Sequence, residues 1–213
     1  MQNILNLIKL NFINLYSLKK TFLFVVVFGA IMGFVNTEMM CFSGAMYLMI
    51  VCYTLPAYEE RSKSNYLIAS LPVTKKEYVL SKYIFTLINV FITTVFTIIL
   101  NYIIKFIKPN IELTPLHIIC ITILAIGVFT VSILLPLVLI FGVEKGRYFL
   151  VFIAVLPICF SPTIMSILPK LKLGFLYNMS TTTSTKLILL ISITIILLSY
   201  FIVSNIYSKK EFN

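Results

Sequence analysis

The side chains that carry most enzyme chemistry are sparse in this sequence. The single histidine is His117, and the cysteines, Cys41, Cys52, Cys120 and Cys159, show no C-x-x-C spacing. The sequence has no G-x-x-x-x-G-K-[ST] phosphate loop, no H-E-x-x-H zinc motif and no G-x-S-x-G nucleophile. A lone histidine is more often structural than a ligand. We therefore expect no catalytic residue, no metal site and no bound cofactor in this chain.

Polar side chains recur instead along one long apolar segment, about residues 78–104. They are three or four residues apart, which places them on one face of a helix. We call this set the polar stripe; it consists of Thr86, Asn89, Thr93, Thr97 and Asn101. In lipid such groups need partners, so we expect the stripe to face protein or water. Hydrogen bonding between helices and lining of a substrate path are both compatible with that expectation.

The longest polar interval, residues 59–82, lies just before this segment and holds three of the seven acidic and five of the seventeen basic residues. Thr74 and Glu77 fit a capping box, and Pro72 ends the preceding segment, so a helix is predicted to start here. Residues 61–71 are predicted to form a short amphipathic helix. A structured element on a loop suggests a docking site; a solvated turn with a good cap is the alternative.

The composition places these features in a membrane protein. Hydrophobic residues make up 60% of the chain and charged residues 11%, and apolar runs near twenty residues recur. We predict an all-α integral membrane protein with a single transmembrane domain, residues 1–213. We assign the net charge of +10 to lysines at the cytoplasmic membrane surface, in contact with lipid, and not to nucleic acid, which we do not expect as a partner.

Six transmembrane helices are predicted, at about residues 22–35, 39–58, 78–104, 116–141, 148–168 and 187–206. Residues 59–77 and 142–147 form the predicted cytoplasmic loops, and three prolines predict a kinked fifth span. With both termini inside, twelve lysines and arginines are cytoplasmic and five are outside. Merging the first two spans gives nine against eight, so the positive-inside rule favours six.

An N-terminal amphipathic helix is predicted for residues 1–20, lying in the membrane interface. Its apolar side consists of Ile4, Leu5, Ile8, Phe12 and Leu15. The charge of this segment does not precede a short apolar core with a cleavage site, so it does not fit a secretory signal.

Two tracts resemble a known family. SLPVTKKEYVLSKY, residues 70–83, resembles the loop between the second and third spans of ABC-2 type permease subunits of bacterial ABC exporters. PLVLIFGVEKGR, residues 136–147, resembles the second cytoplasmic loop of the same group. The number of spans and the N-terminal helix also fit, so the likeness covers essentially the whole chain. The outer loop near 169–185 is short and leaves no room for the extracellular domain of larger members.

The resemblance implies a permease subunit that pairs with a second permease chain, identical or different, in the bacterial plasma membrane. A separate ATPase subunit would bind the ATP, dock on a cytoplasmic coupling helix and drive export of an amphipathic peptide, antibiotic or lipid-like substrate. The polar stripe would line the path. The candidate ATPase-docking residues are Glu59, Glu60, Arg61, Tyr66, Leu67, Leu71, Glu144, Lys145 and Arg147. The alternative is a membrane scaffold, sensor or immunity protein without transport activity.

Overall fold

The computed structural model describes residues 2–17, 19–35, 39–62, 73–108, 115–146, 148 and 181–209. These ranges are helical apart from turns and helix ends, and they contain no strand. Numbered in chain order, the helices are α1 (Gln2–Ser17), α2 (Lys19–Val35), α3 (Met39–Arg61), α4 (Lys75–Ile107), α5 (Leu116–Gly146) and α6 (Thr181–Lys209). A π-helical segment, Thr130–Leu134, interrupts α5.

Three of the described helices are long and apolar enough to cross a membrane: α4, α5 and the Leu189–Lys209 part of α6. The pair α1 and α2, bent by 64° between its two halves, could supply a fourth. The protein is thus all-helical, with three to four membrane-capable helices in the part of the chain that is described. The prediction of six spans is not confirmed by this count.

The first two predicted spans coincide with α2 and α3 but differ from the long helices in length or polarity. The 17 residues of α2 reach only about 25 Å at 1.5 Å per residue, less than the roughly 30 Å of a bilayer core. α3 contains Pro56 and ends in a charged turn. The predicted fifth span, about 148–168, lies outside the described residues.

α4 is the central helix, and it contacts each of the other five. Its neighbours approach closely where they carry glycine. Gly44 of α3 faces Thr93 of α4, and Gly127 of α5 faces Val90. At Gly127 an added Cβ would lie 2.7 Å from the Val90 methyl groups, closer than side-chain atoms can pack. The sequence therefore lets α3 and α5 lie directly against α4.

α1 is helical, as predicted, and part of its predicted apolar side packs inside the bundle, where Phe12 and Leu15 lie against the core around Phe85. It packs on α4 and α3, and its most deeply buried side chains, Leu7 and Asn11, do not belong to the predicted apolar side. Leu5, which does, is 64% exposed. Asn11 is buried because it has a polar partner inside the bundle, which a helical wheel cannot reveal. The interfacial position of α1 remains a prediction.

α5 is longer than the sequence indicates. Residues 142–146, predicted as part of a loop over 142–147, are helical, so the helix reaches Gly146. Gly142 has a φ of 81°, a conformation that glycine adopts without steric cost. Most of the second predicted loop is therefore the last part of α5, and Gly142 lies within that part of the helix.

Candidate functional site

The start of α4 is fixed by the predicted capping box. The Thr74 hydroxyl oxygen accepts a hydrogen bond from the Glu77 backbone N–H at 3.3 Å, and the Thr74 backbone N–H donates to Glu77 Oε2 at 2.9 Å. In both bonds the donor is a backbone N–H group that the start of a helix would otherwise leave without a partner. The prediction of a helix start at this point is confirmed.

Two turns into α4, Lys82 forms a buried ion pair with Glu59 near the end of α3. The side chains are 3% and 1% exposed. The second carboxylate oxygen of Glu59 accepts a hydrogen bond from the Tyr78 hydroxyl at 2.8 Å. A buried charge is tolerated when it is paired and its remaining positions are hydrogen-bonded, and both conditions hold here.

The same cluster extends to two further helices. Lys82 Nζ donates to Asn11 Oδ1 of α1 at 2.8 Å and lies 5.1 Å from the centre of the Tyr78 ring. The Tyr78 ring in turn stacks on Tyr207 of α6, with ring centres 5.7 Å apart. We call these five residues, Asn11, Glu59, Tyr78, Lys82 and Tyr207, the base cluster. It joins α1, α3, α4 and α6 in one place.

Sequence reasoning missed the base cluster. It assigned Lys82 to the cytoplasmic surface and Glu59 to capping or docking, and it did not single out Asn11, Tyr78 or Tyr207. One available signal was that Lys82 and Asn11 each interrupt an otherwise apolar helix face. Charged side chains within or near the membrane are rare and are usually paired with another polar group. A lysine or asparagine on an apolar helix face therefore indicates that a polar partner lies on a neighbouring helix.

The candidate docking residues differ in where the structure places them. Glu60, Glu144 and Lys145 are exposed, and the Glu60 carboxylate approaches Gly142, to within 3.3 Å of the position that a Cβ would take. Glu59, in contrast, turns into this chain and is not presented to a partner. Arg61 is the last residue of α3. The remaining candidates, Tyr66, Leu67, Leu71 and Arg147, lie outside the described residues.

The described docking candidates therefore lie near each other at one end of the bundle. The end of α3 carries Glu60, and the end of α5 carries Glu144 and Lys145. The start of α4 is at the same end, because Lys82 pairs with Glu59. The end of α6 is there too, since Lys75 Nζ lies 3.3 Å from the Ser208 carbonyl. Binding of an ATPase to this end remains a prediction.

The polar stripe faces protein, as expected, and each of its five members is at most 3% exposed. Most of its hydrogen bonds stay within α4. Thr86, Thr93 and Thr97 donate to the carbonyls four residues earlier, and Asn89 Nδ2 donates to the Phe85 carbonyl. Between helices, the Tyr47 hydroxyl donates to Asn89 Oδ1 at 2.9 Å. The packing role is thus visible, whereas path lining remains a prediction.

An open groove of about 140 Å³ lies between α2, α3 and α4. Its walls are apolar, including Val25, Ile92 and Phe96, and Ser43, Tyr47 and Thr93 also line it. Thr93 is the only polar-stripe residue among its described lining residues. The groove offers a mostly hydrocarbon surface with a few hydroxyl groups.

The interruption of α5 is tied to α6 and α4 by a hydrogen-bond chain. In an α-helix the Ser132 carbonyl would accept from residue 136, which is proline and has no N–H. The Ser199 hydroxyl donates to this carbonyl at 3.0 Å instead. Ser199 Oγ also lies 2.8 Å from the Tyr83 hydroxyl; since the serine proton is already used, Tyr83 is the donor.

Metal-binding chemistry has no support among the described residues. They contain no group of three histidine, cysteine or acidic side chains that could hold a metal ion. Cys41 and Cys52 are buried and Cys120 is exposed, and none of the three forms a disulfide bond with another described residue. Cys159 lies outside the described residues.

Comparison with known proteins identifies the family. A family model described as ABC-2 family transporter protein matches residues 6–208. The match extends from α1 to the end of α6 and includes the capped start of α4 and the entire base cluster. Comparisons with curated proteins and with solved structures give no match. A match over nearly the whole chain, together with its apolar helices, shows that this protein belongs to the ABC-2 family of transporter proteins and is a membrane permease of an ABC transporter.

Proposed function

We propose that this permease is one of two permease chains of a dimeric, ATP-driven exporter in the bacterial plasma membrane. A separate ATPase subunit binds and hydrolyses the ATP, and the permease supplies no catalytic residue or cofactor. Six spans with both termini in the cytoplasm put the loop between α3 and α4 on the side of the ATPase. The substrate is an amphipathic molecule such as a peptide, an antibiotic or a lipid-like compound.

The observation that carries this proposal is that the chain is held in place on both sides of residues 63–72, which lie within the predicted loop 59–77. We call residues 63–72 the 63–72 loop. Glu59, near the end of α3, is ion-paired with Lys82 of α4, and Thr74 caps α4 just after the loop. A displacement of the loop would therefore be transmitted to α4 at the Glu59–Lys82 pair and at the Thr74 cap. Because α4 contacts every other described helix, a movement of α4 would displace those helices as well.

The second predicted loop supports the same docking surface. The contact between Glu60 and Gly142 brings the end of α3 beside the end of α5. Exposed Glu60, Glu144 and Lys145 offer charges of both signs for a partner, and Tyr66, Leu67 and Leu71 supply apolar anchors on the loop. Interface energy concentrates in a few buried side chains, so we assign the main contact to these anchors.

The groove between α2, α3 and α4 supports an amphipathic substrate. Its apolar walls suit hydrocarbon, and the Ser43, Tyr47 and Thr93 hydroxyl groups suit a polar portion of the cargo. Pockets of this kind are mostly apolar, with a few polar groups that set orientation. Outward transport is proposed from the resemblance to exporter permeases.

The proposal is tested by weakening the loop anchors. We expect Tyr66→Ala with Leu67→Ala to leave the permease inserted and folded but to lower the amount of co-purified ATPase. The ATP hydrolysis that depends on the permease should fall in parallel. The permease is co-expressed with a candidate ABC ATPase, and hydrolysis is measured on the complex in lipid nanodiscs.

The matched control is Ser180→Ala with Thr181→Ala, at the start of α6 on the predicted outer side. This variant should change neither ATPase binding nor hydrolysis. Full ATPase binding and full hydrolysis by the Tyr66/Leu67 variant would remove the loop from the coupling mechanism.

A further inference from the structure

Lys82 holds together groups from three helices. Its side chain is almost fully buried, and its ammonium contacts the Glu59 carboxylate of α3, Asn11 Oδ1 of α1 and the face of Tyr78 in α4. The Asn11 amide nitrogen is buried and has no hydrogen-bond partner within the described part of the chain. The Asn11 side chain is therefore held there through its oxygen, by Lys82.

This arrangement is poorly explained as a source of stability. Replacing a buried ion pair by well-packed apolar residues is often neutral or stabilising, while removing one partner alone is strongly destabilising. With two apolar residues at positions 59 and 82, α3 would remain packed on α4 through its other contacts. Two apolar residues would not, however, hold the Asn11 amide of α1, which needs a hydrogen-bond donor at this point.

The position of the pair indicates what it links. Glu59 lies just before the 63–72 loop and Lys82 lies just after the capped start of α4, so the pair closes the base of that loop. Asn11 adds α1, which is far away in sequence, to the same point. The three elements meet at one buried cation.

We propose that Lys82 is a positioning residue that joins the end of α3, the start of α4 and the N-terminal helix α1 into one unit, so that displacement of these two helix ends by the ATPase also displaces α1. The proposal rests on the proposed function, because it requires an ATPase that acts on the 63–72 loop. It goes further by assigning α1 a share in the movement.

The test measures nucleotide-driven displacement in the permease–ATPase complex by pulsed electron resonance between spin labels. One label pair is Lys9→Cys on α1 with His117→Cys at the far end of α5; the other is Lys76→Cys on α4 with the same reference. All three sites are exposed, and the native cysteines are replaced. Distances are compared without nucleotide and with magnesium ATP and vanadate.

In the otherwise unaltered complex we expect both distances to shift. With Glu59→Met and Lys82→Met together, the Lys76–His117 shift should persist and the Lys9–His117 shift should be lost. Asn11→Leu, which keeps the ion pair and removes only its link to α1, should cause the same selective loss. Asn6→Leu, at an exposed asparagine of α1, is the matched control and should leave both shifts unchanged.

The outcomes separate the two proposals. Retention of the Lys9–His117 shift in the Asn11→Leu variant overturns the role of Lys82, even if the double methionine variant does not fold. A Lys76–His117 shift without any Lys9–His117 shift in the unaltered complex overturns it as well. If the unaltered complex shows neither shift, the coupling mechanism of the proposed function fails too.

Discussion

Gly29 allows α2 to lie directly against α3, because glycine has no side chain at this contact. A Cβ added at Gly29 would lie 2.6 Å from Ser43 Oγ and 2.9 Å from Ser43 Cβ. Both distances are shorter than real contacts, so a larger residue must push the helices apart. Gly33 follows Gly29 at the G-x-x-x-G spacing that allows close helix packing, and the Gly29 contact lies within one chain.

We expect Gly29→Ala to lower the midpoint of thermal unfolding, because overpacking costs about 1–3 kcal/mol. Ser43→Gly in the same chain removes both clashing atoms and should recover much of the loss. Unfolding is followed by fluorescence-detected gel filtration after heating in detergent. Ser43→Gly alone is the control, and equal midpoints for Gly29→Ala with and without it would contradict the clash.

Residues with local partners were predictable, and residues with distant partners were not. Thr74 and Glu77 are three positions apart, so their capping box could be recognised from spacing alone. Lys82 finds Glu59 and Asn11, respectively 23 and 71 residues away, and its burial depends on both. No local pattern distinguishes such a lysine from one at the membrane surface.

The interruption of α5 is the feature at which one helix depends on its neighbours. Pro136 removes the backbone donor that the Ser132 carbonyl would otherwise have, and Ser199 of α6 replaces it at 3.0 Å. Tyr83 of α4 supports that serine. The π-helical segment is thus connected to two other helices by polar contacts as well as by packing.

We expect Ser199→Ala to destabilise the permease by about 1 kcal/mol, since hydrogen bonds between membrane helices are worth roughly 0.6–1.7 kcal/mol. Pro136→Ala should reduce this cost, because the new backbone N–H can bind the Ser132 carbonyl. A double-mutant cycle on thermal or denaturant unfolding measures the difference. Strict additivity of the two changes would show that Ser199 does not compensate for the proline.

The helices themselves were predicted better than their faces and ends. The period of the polar stripe identified the buried face of α4, because five polar residues at helical spacing in an apolar segment lie together on one side of the helix. On α1 the helical wheel identified Phe12 and Leu15, which pack inside the bundle, but not Asn11, which is buried by a partner on another helix. The end of α5 was placed too early, because Gly142 and its charged neighbours have the composition of a loop.

The orientation of the bundle in the membrane can be tested through the ends of α4 and α5. The 33 residues of α4 measure about 50 Å, enough to place Lys75 and Lys108 on opposite sides of a bilayer. The exposed Lys145 of α5 lies at the same end as Lys75, since Glu60 approaches Gly142 near the Glu59–Lys82 pair.

In a chain without native cysteines, we expect single cysteines at Lys63 and Lys145 to resist a membrane-impermeant maleimide in intact cells. Cysteines at Lys108 and Lys172 should react. Labelling is read as a mass shift on a gel, with permeabilised cells as the control for accessibility. Reaction at Lys63 from outside would exclude the proposed topology.

The class of the molecule followed from composition, but the number of spans did not. Sixty per cent hydrophobic residues leave little alternative to helices in a membrane. The prediction of six spans rests on the distribution of lysine and arginine. That distribution indicates on which side of the membrane each loop lies, and it carries no information on helix length. A short helix such as α2 satisfies the charge rule, and its 17 residues lie at the lower limit of the length of a single crossing.

The central place of α4 has a consequence for biosynthesis. Asn11 and Glu59 leave the ribosome before Lys82, and Tyr207, which stacks on Tyr78, leaves after it. A chain released before Lys82 would hold a carboxylate and an amide near the membrane without the cation that binds both, at a cost in free energy. Such incomplete chains should therefore be less stable in the membrane than chains in which α4 has already been inserted and Lys82 has bound both groups.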